Sequence, residues 1–131
     1  EAIIRMLSGA SAFKSRHPDE RRGQWELAFF YVMYYVYILY SPTLDIFYKG
    51  QTNDLASRLQ RHNSGKEKFT IKGIPWRLMW NTEKPDRSQA MVLERKLKNL
   101  GRQQTIAFML KYHEGVVGPD ELLHLKQLSG C

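Results

Sequence analysis

An apolar run of fourteen residues, LAFFYVMYYVYILY at residues 27–40, constrains the fold of this chain most strongly. A helix needs about 20 apolar residues to cross a membrane, so the run is short for a membrane span. It is rich in the aromatic and β-branched residues that favour strands. We therefore predict a buried strand over residues 34–40. The 131 residues and 15.4 kDa of the chain allow one domain with a single modest core.

The sequence suggests a central domain with an extension at each end. Residues 33–114 are expected to form the domain, and Met33 stands immediately before the first strand as its expected functional start. Residues 1–32 are interpreted as an N-terminal extension with a short helix beginning near Pro18. Residues 115–131 are interpreted as a C-terminal appendage with one short helix.

The charge distribution indicates the class of partner. The net charge is +7, and residues 33–114 hold 14 Lys and Arg against 7 Asp and Glu. Residues 1–32 hold 5 Lys and Arg against 4 Asp and Glu, and residues 115–131 hold 1 Lys or Arg against 2 Asp and Glu. A basic central segment favours a polyanion such as nucleic acid, although charge alone leaves open a basic protein without such a partner.

Cysteine use and the residues before the apolar run indicate the compartment. The only cysteine is Cys131, which excludes a disulfide framework and a multi-cysteine zinc site and fits a reducing interior. Charged residues crowd positions 16–22, where a signal peptide would need an apolar centre. The chain is therefore predicted to be cytoplasmic, without a membrane segment.

The element pattern predicts an α+β fold with the order β-β-α-β-α-α on a small antiparallel sheet. Strands are predicted at residues 34–40, 46–50 and 76–80, with a five-residue hairpin loop at 41–45. Helices are predicted after Asn53 or Asp54, from a capping box at Asp86 and Gln89, over residues 103–113, and after Gly118.

Two tyrosine-containing triplets lie in the predicted hairpin, one ending at Tyr37 and the other, YKG, beginning at Tyr48. Alternate residues of a strand share a face, so Tyr37 and Tyr48 can lie near each other across the hairpin. Ordinary packing is the usual role of a single tyrosine. Gly50 favours a site here, because a glycine at a strand end allows close approach of a ligand or another backbone.

The helix after the hairpin carries Arg58, Arg61 and His62. Leu55 and Leu59 flank Arg58 on the buried side, so its guanidinium can reach the hairpin and fork two donors onto a phosphate. Arg61 is expected to be solvated. For His62 the pattern alone favours a packing or capping role over a catalytic one, and the residue is kept as a catalytic candidate.

Glu94 is the candidate carboxylate. It follows Ala90 by four residues and precedes Leu97 by three, so it leans toward the apolar side of its helix. Burying a carboxylate in such a position costs free energy of folding unless the carboxylate is paired or holds a cation. An ion pair with a nearby base is one possibility. The other is Mg²⁺, which is commonly held by few protein oxygens together with water and phosphate.

The combined motifs resemble the GIY-YIG endonucleases, especially their short stand-alone bacterial members. The similarity covers about residues 33–112 and rests on VYIL, FYKGQTNDLASRLQRHNSG, KFT…PWRLMW and SQAMVLERKLK. Two apolar positions of the name-giving pattern differ, since YV stands for glycine and isoleucine and Lys49 stands for isoleucine. The resemblance implies a three-stranded antiparallel sheet flanked by helices and DNA phosphodiester hydrolysis with one divalent metal ion, Mg²⁺ or Mn²⁺.

The resemblance also assigns roles to residues. Tyr37 is expected to be the base, with Tyr48 orienting the nucleophile, Arg58 stabilising charge on the phosphate, and Glu94 binding the metal. His62 matches a histidine of many relatives. A free phenol has a pKa near 10, so Tyr37 as a base needs help from Arg58, Lys49 or the cation.

The residues expected to contact nucleic acid are Lys49, Arg61, Lys66, Lys68 and Lys72.

The predicted function is therefore that of a metal-dependent endonuclease acting on double-stranded or branched DNA in repair or processing. The main alternative is a non-catalytic nucleic-acid-binding module on the same fold. An RNA-directed or protein-interaction role is a third possibility.

Overall fold

The computed structural model describes residues 33–130. The predicted extension at residues 1–32, with its helix near Pro18, lies outside them, as does Cys131. Between residues 33 and 130, no helix has the length and apolar character that crossing a membrane requires.

Three antiparallel strands form the sheet, in the order β2-β1-β3. They are β1 (Tyr34–Ser41), β2 (Ile46–Thr52) and β3 (Arg77–Lys84). The third strand runs four residues further than predicted, because its end pairs with the start of β1, where Tyr34 lies opposite Lys84. The predicted α+β class and three-stranded antiparallel sheet are confirmed.

Within residues 33–130, four helices surround the sheet: α1 (Leu55–His62), α2 (Arg87–Lys98), α3 (Arg102–Lys111) and α4 (Pro119–Leu128). Short 3-10 turns lie at Ile71–Gly73 and His113–Gly115. The predicted N-caps are present, since the carboxylates of Asp54 and Asp86 accept hydrogen bonds from the backbone amides of Ser57 and Gln89 at 3.1 and 2.8 Å. Such caps satisfy amide groups that the first turn leaves unpaired.

The central strand β1 is buried on both faces. Val36, Ile38 and Tyr40 pack on one face in a core that includes residues of α2, α3 and α4. Tyr37 and Leu39 pack on the other face in a smaller core with side chains from α1 and from the segment leading into β3. The period-2 alternation of the strand therefore separates the two cores, and Tyr37 faces α1.

Residues 115–130 pack against the same sheet. The amide of Val117 donates to the carbonyl of Met79 at 3.1 Å, and Leu125 of α4 is fully buried in the larger core. The helix predicted after Gly118 is thus present and contributes to the core. The division of the chain at residue 114 stays a prediction.

Candidate active site

Tyr37 lies at the centre of the candidate site. It is 1% exposed, and its hydroxyl forms a hydrogen bond of 3.0 Å with Nε2 of His62. Gly50 lies opposite Tyr37 in the hairpin, and a Cβ at position 50 would lie only 2.5 Å from the Tyr37 oxygen. The glycine of the second triplet therefore makes room for the hydroxyl of the first.

His62 is the last residue of α1 and is 2% exposed. Its Nδ1 lies 3.2 Å from Oε1 of Glu67, within ion-pairing distance, but the geometry is not that of a hydrogen bond. Burial lowers the pKa of His62; the Glu67 carboxylate opposes this shift, while the charges of Arg58 and Arg61 add to it. His62 is therefore a neutral imidazole at neutral pH.

The Tyr37 phenol is protonated at neutral pH. Burial is the main cause that raises its pKa above 10, followed by the neighbouring Tyr48. The Arg58 charge lowers this pKa, and the carboxylates of Glu94 and Glu67 raise it. Arg58 thus acts in the expected direction, but burial outweighs it.

Tyr48 completes an aromatic cluster around the hydroxyl. Its ring stacks on Tyr37 with centroids 6.4 Å apart, and its centroid lies 4.8 Å from that of His62. Trp76 lies edge-on to Tyr48 at 5.9 Å. The predicted proximity of Tyr37 and Tyr48 is therefore observed, and rings on several sides restrict the rotation of both.

Arg58 lies in the first turn of α1, where its backbone amide donates to the carbonyl of Asp54 at 3.1 Å. Its charge lowers the pKa of both Tyr37 and His62. Among the ion pairs within residues 33–130, none includes Arg58. A half-buried guanidinium in this position is available to a phosphate.

Glu94 lies on α2, and its side chain is 19% exposed. One carboxylate oxygen is 3.2 Å from Nζ of Lys98, and the other accepts a hydrogen bond of 3.4 Å from the amide of Gln51. Of the two possibilities left by the sequence, the ion pair is present. Glu94 makes no hydrogen bond to the phenols in the described part of the chain, although its charge raises the pKa of Tyr37.

The donor set at Glu94 fits a hard cation with few protein ligands. No group of three or more His, Cys, Asp or Glu that could hold a metal occurs within residues 33–130. One carboxylate beside the Gln51 amide leaves most ligand positions to water and substrate, which is how Mg²⁺ is usually bound. A divalent cation at Glu94 would have to displace the ammonium of Lys98.

An open cleft of about 580 Å³ runs along the edge strand β2. Alternation along β2 turns Tyr48 toward α1 and Lys49 toward α2, so the cleft joins the two faces at the sheet edge. The Lys49 ammonium donates to the carbonyl of Leu100 at 3.3 Å, and burial lowers its pKa. The cleft is lined by Phe47, Tyr48, Lys49, Glu67, Lys68, Phe69, Thr70 and Lys98.

The cations expected to contact nucleic acid are distributed around this cleft. Lys49 and Lys68 line it, whereas Lys66 and Lys72 are exposed in the segment after α1. Arg61 is 61% exposed in its side chain and lies 3.6 Å from Glu67. Of the five residues, two line the cleft.

Sequence reasoning missed three residues of the site: Glu67, Gln51 and Lys98. Glu67 stands in a loop without periodicity, so no pattern linked it to His62 five positions earlier. Lys98 carried a usable signal, because it follows Glu94 by four residues in a helix, the spacing of an ion pair.

Comparison with known proteins adds an independent finding. A family model described as the GIY-YIG catalytic domain matches residues 33–107. A UPF0213 protein of Yersinia enterocolitica is 36% identical over 73 residues, which cover 55% of this chain and 74% of that protein. A UPF0213 protein of Streptococcus sanguinis is 35% identical over 63 residues, which cover 47% of this chain and 72% of that protein.

A solved structure is also similar to this chain. The solution NMR structure of the UPF0213 protein BH0048 from Bacillus halodurans is 33% identical in sequence, with a TM-score of 0.41. The match covers 70% of this chain and 93% of that protein.

Proposed function

Because this chain belongs to the GIY-YIG nuclease family, we propose that it is a metal-dependent endonuclease that hydrolyses DNA phosphodiester bonds during repair or processing. The observation that carries the proposal is the buried hydrogen bond of 3.0 Å between the Tyr37 hydroxyl and Nε2 of His62. A neutral imidazole bonded to a protonated phenol can accept the phenol's proton while the phenol takes one from the attacking water. The positive charge then forms on His62 beside the Glu67 carboxylate, and the negative charge forms on the attacking oxygen.

The proposed proton path begins at the attacking water. Tyr37 accepts a proton from that water while its own hydroxyl proton passes to Nε2 of His62. This requires His62 to carry its ring proton on Nδ1, the nitrogen 3.2 Å from the Glu67 carboxylate. Tyr37 then acts as a relay and never has to exist as a free phenolate, which agrees with the raised pKa of its hydroxyl.

Arg58 and Tyr48 are proposed to position the phosphate. The Arg58 guanidinium has no ion-pair partner in the described part of the chain and can offer two parallel donors to the phosphoryl oxygens. Tyr48, stacked on Tyr37, would orient the water for in-line attack. Charge stabilisation of this kind is usually the largest contribution to catalysis of phosphate chemistry.

Glu94 is proposed to hold the cation, with Gln51 as its neighbour. A divalent cation bound there would neutralise negative charge on the phosphate and the leaving oxygen. Lys98, whose ammonium lies 3.2 Å from a Glu94 oxygen, would hold the carboxylate in place in the absence of a cation.

DNA is proposed as the substrate, double-stranded or branched as the sequence predicted. Support comes from the excess of cations in residues 33–114 and from Lys49, Lys68 and Lys98 in the cleft that Tyr48 also lines. Neutralisation of phosphates by such cations gives binding that weakens as salt rises.

The direct test is digestion of labelled duplex, flap and branched DNA by the full chain with Mg²⁺, with Mn²⁺ and with EDTA. We expect products only with a divalent cation. Glu94→Ala should abolish cleavage and retain DNA binding, while Glu114→Ala, at an exposed carboxylate in a 3-10 turn, should cleave as the wild type does. DNA binding without products under any condition would support the non-catalytic module instead.

A further inference from the structure

Phe69 presents an unusual amount of apolar surface beside the proposed active site. It is 85% exposed, more than any other large hydrophobic residue within residues 33–130, the next being Leu123 at 57%. Burial of such a ring would stabilise the protein. The chain instead displays the ring at the mouth of the cleft.

The loop that carries Phe69 is anchored on both sides of the ring. The carbonyl of Glu67 accepts hydrogen bonds from the amides of Thr70 and Ile71 at 3.3 and 3.1 Å. Thr70 is 2% exposed, and its carbonyl accepts a hydrogen bond of 2.7 Å from the indole of Trp76. The exposure of Phe69 is therefore a property of a fixed turn.

The surroundings of the ring combine aromatic and basic groups. Phe69 lies 6.3 Å from Tyr48, centroid to centroid, and both rings line the cleft. Lys68 precedes it in the same cleft, and the exposed Lys66 and Lys72 stand within three residues on either side. An aromatic face among cations is the arrangement by which proteins bind single-stranded nucleic acid, whose bases stack on the ring while the cations hold the phosphates.

We propose that Phe69 stacks on an unpaired base next to the cut phosphate, so that the preferred substrate is DNA with a single-stranded segment at the cleavage site. This rests on the proposed nuclease function and narrows its substrate class. A base inside an intact duplex is already stacked on both faces, and therefore it has no free face for Phe69. A flap, gap or single strand offers a base with a free face, so no base has to be unstacked first.

The test is a binding experiment that does not require catalysis. Fluorescence anisotropy in EDTA compares a labelled single strand with the duplex of the same sequence, for wild type, Phe69→Ala and Phe69→Trp. We expect Phe69→Ala to weaken single-strand binding by about 5- to 150-fold, the range for one stacked base, and to change duplex binding less than 2-fold. Phe69→Trp should retain single-strand binding.

Two controls make the result specific to stacking. Leu123→Ala, at another exposed apolar residue, should change neither affinity, because it lies on α4 and outside the cleft. In the second control, a single abasic site is placed at each position of the strand in turn. At the position where the base stacks on Phe69, the abasic site should weaken binding by the wild type. The same abasic site should not weaken binding by Phe69→Ala any further, because both changes remove the same contact.

Equal losses on single strand and duplex, or no loss in Phe69→Ala, would overturn the proposal. Because binding is measured without metal, a protein that never cleaves DNA can still pass this test. Failure of the nuclease proposal is therefore distinguishable from failure of the stacking proposal.

Discussion

The hydroxyl of Tyr37 and Nε2 of His62 lie 3.0 Å apart, although the two residues are 25 positions apart in the chain. Burial raises the pKa of the phenol and lowers the pKa of the imidazole, so both groups are neutral near pH 7. The strand and the helix thus hold a proton donor and a proton acceptor in contact. This pairing fixes the direction of proton movement in the proposed mechanism.

The lowered pKa of His62 predicts how stability depends on pH. Between the folded pKa and the unfolded value of about 6.5, the unfolded chain binds more protons than the native chain, so stability rises with pH in this window. The contribution is complete above about pH 6.5 and is lost as the pH falls through the window. In urea unfolding, we expect that the stability of His62→Gln does not show this decline toward acid pH. The stability of His113→Gln, a change at an exposed histidine, should still show it. A decline of wild-type size in His62→Gln would contradict the prediction.

Gly50→Ala should damage the site more than the fold. The new methyl group would lie 2.5 Å from the Tyr37 oxygen, so the ring must shift away from His62. Overpacking of this kind costs about 1–3 kcal/mol of stability, and a misplaced catalytic group can lower turnover by about 10²-fold. Thermal unfolding and cleavage rates measure the two effects.

Gly101→Ala is the matched control for that prediction. A Cβ at position 101 would meet only the Gln104 side chain, at an ordinary distance of 3.8 Å. Cleavage should stay at the wild-type rate. If Gly50→Ala and Gly101→Ala had the same activity, the tight contact with Tyr37 would have no functional role.

The sequence predicted the strands and helices well because their signals are local. The Asp54 and Asp86 caps and the tyrosine-rich strands act within a few residues, and all are present in the structure. The closeness of Tyr37 and Tyr48 followed from strand alternation alone. The end of β3 was missed because its last residues are ordered by pairing with Tyr34, a contact that no local pattern records.

The candidate site was predicted less completely, because its decisive features are tertiary. Burial of His62 depends on how α1 packs, and a pattern of one histidine favoured packing over chemistry. Glu67 reaches His62 from a loop, and Lys49 lies on the opposite face of β2 from Tyr48. The sequence therefore supplied candidate residues, but not their protonation states or the partner of the imidazole.

Lys98→Gln should lower the Mg²⁺ concentration needed for half-maximal cleavage. The ammonium lies 3.2 Å from a Glu94 oxygen and competes with a cation for it. Helical pairs four residues apart are worth about 0.3–0.5 kcal/mol, so we expect a shift of about 2-fold in an Mg²⁺ titration. Lys96→Gln, which removes an equal charge from the same helix without this contact, should shift it less.

Glu67→Gln should move the acid limb of the pH–rate profile to lower pH. His62 is surrounded by Tyr37 and Tyr48, by the cations Arg58 and Arg61, and by Glu67, whose carboxylate is the group that raises the pKa of His62. Without that carboxylate the imidazole has a lower pKa and is a weaker base. Turnover at pH 7 should therefore fall while activity extends further into acid. A limb that moves to higher pH would contradict this assignment of Glu67.

The most direct measurement of the central claim compares Mg²⁺-dependent DNA cleavage by Tyr37→Phe and Tyr40→Phe. Tyr40 is 5% exposed and donates to Asp45 at 2.6 Å, so both variants remove the hydroxyl of a buried tyrosine in β1, but only Tyr37 contacts His62. We predict that Tyr37→Phe lowers turnover by about 10²- to 10⁴-fold, the usual range for acid–base catalysis, and that Tyr40→Phe cleaves at the wild-type rate. Wild-type cleavage by Tyr37→Phe would contradict the account.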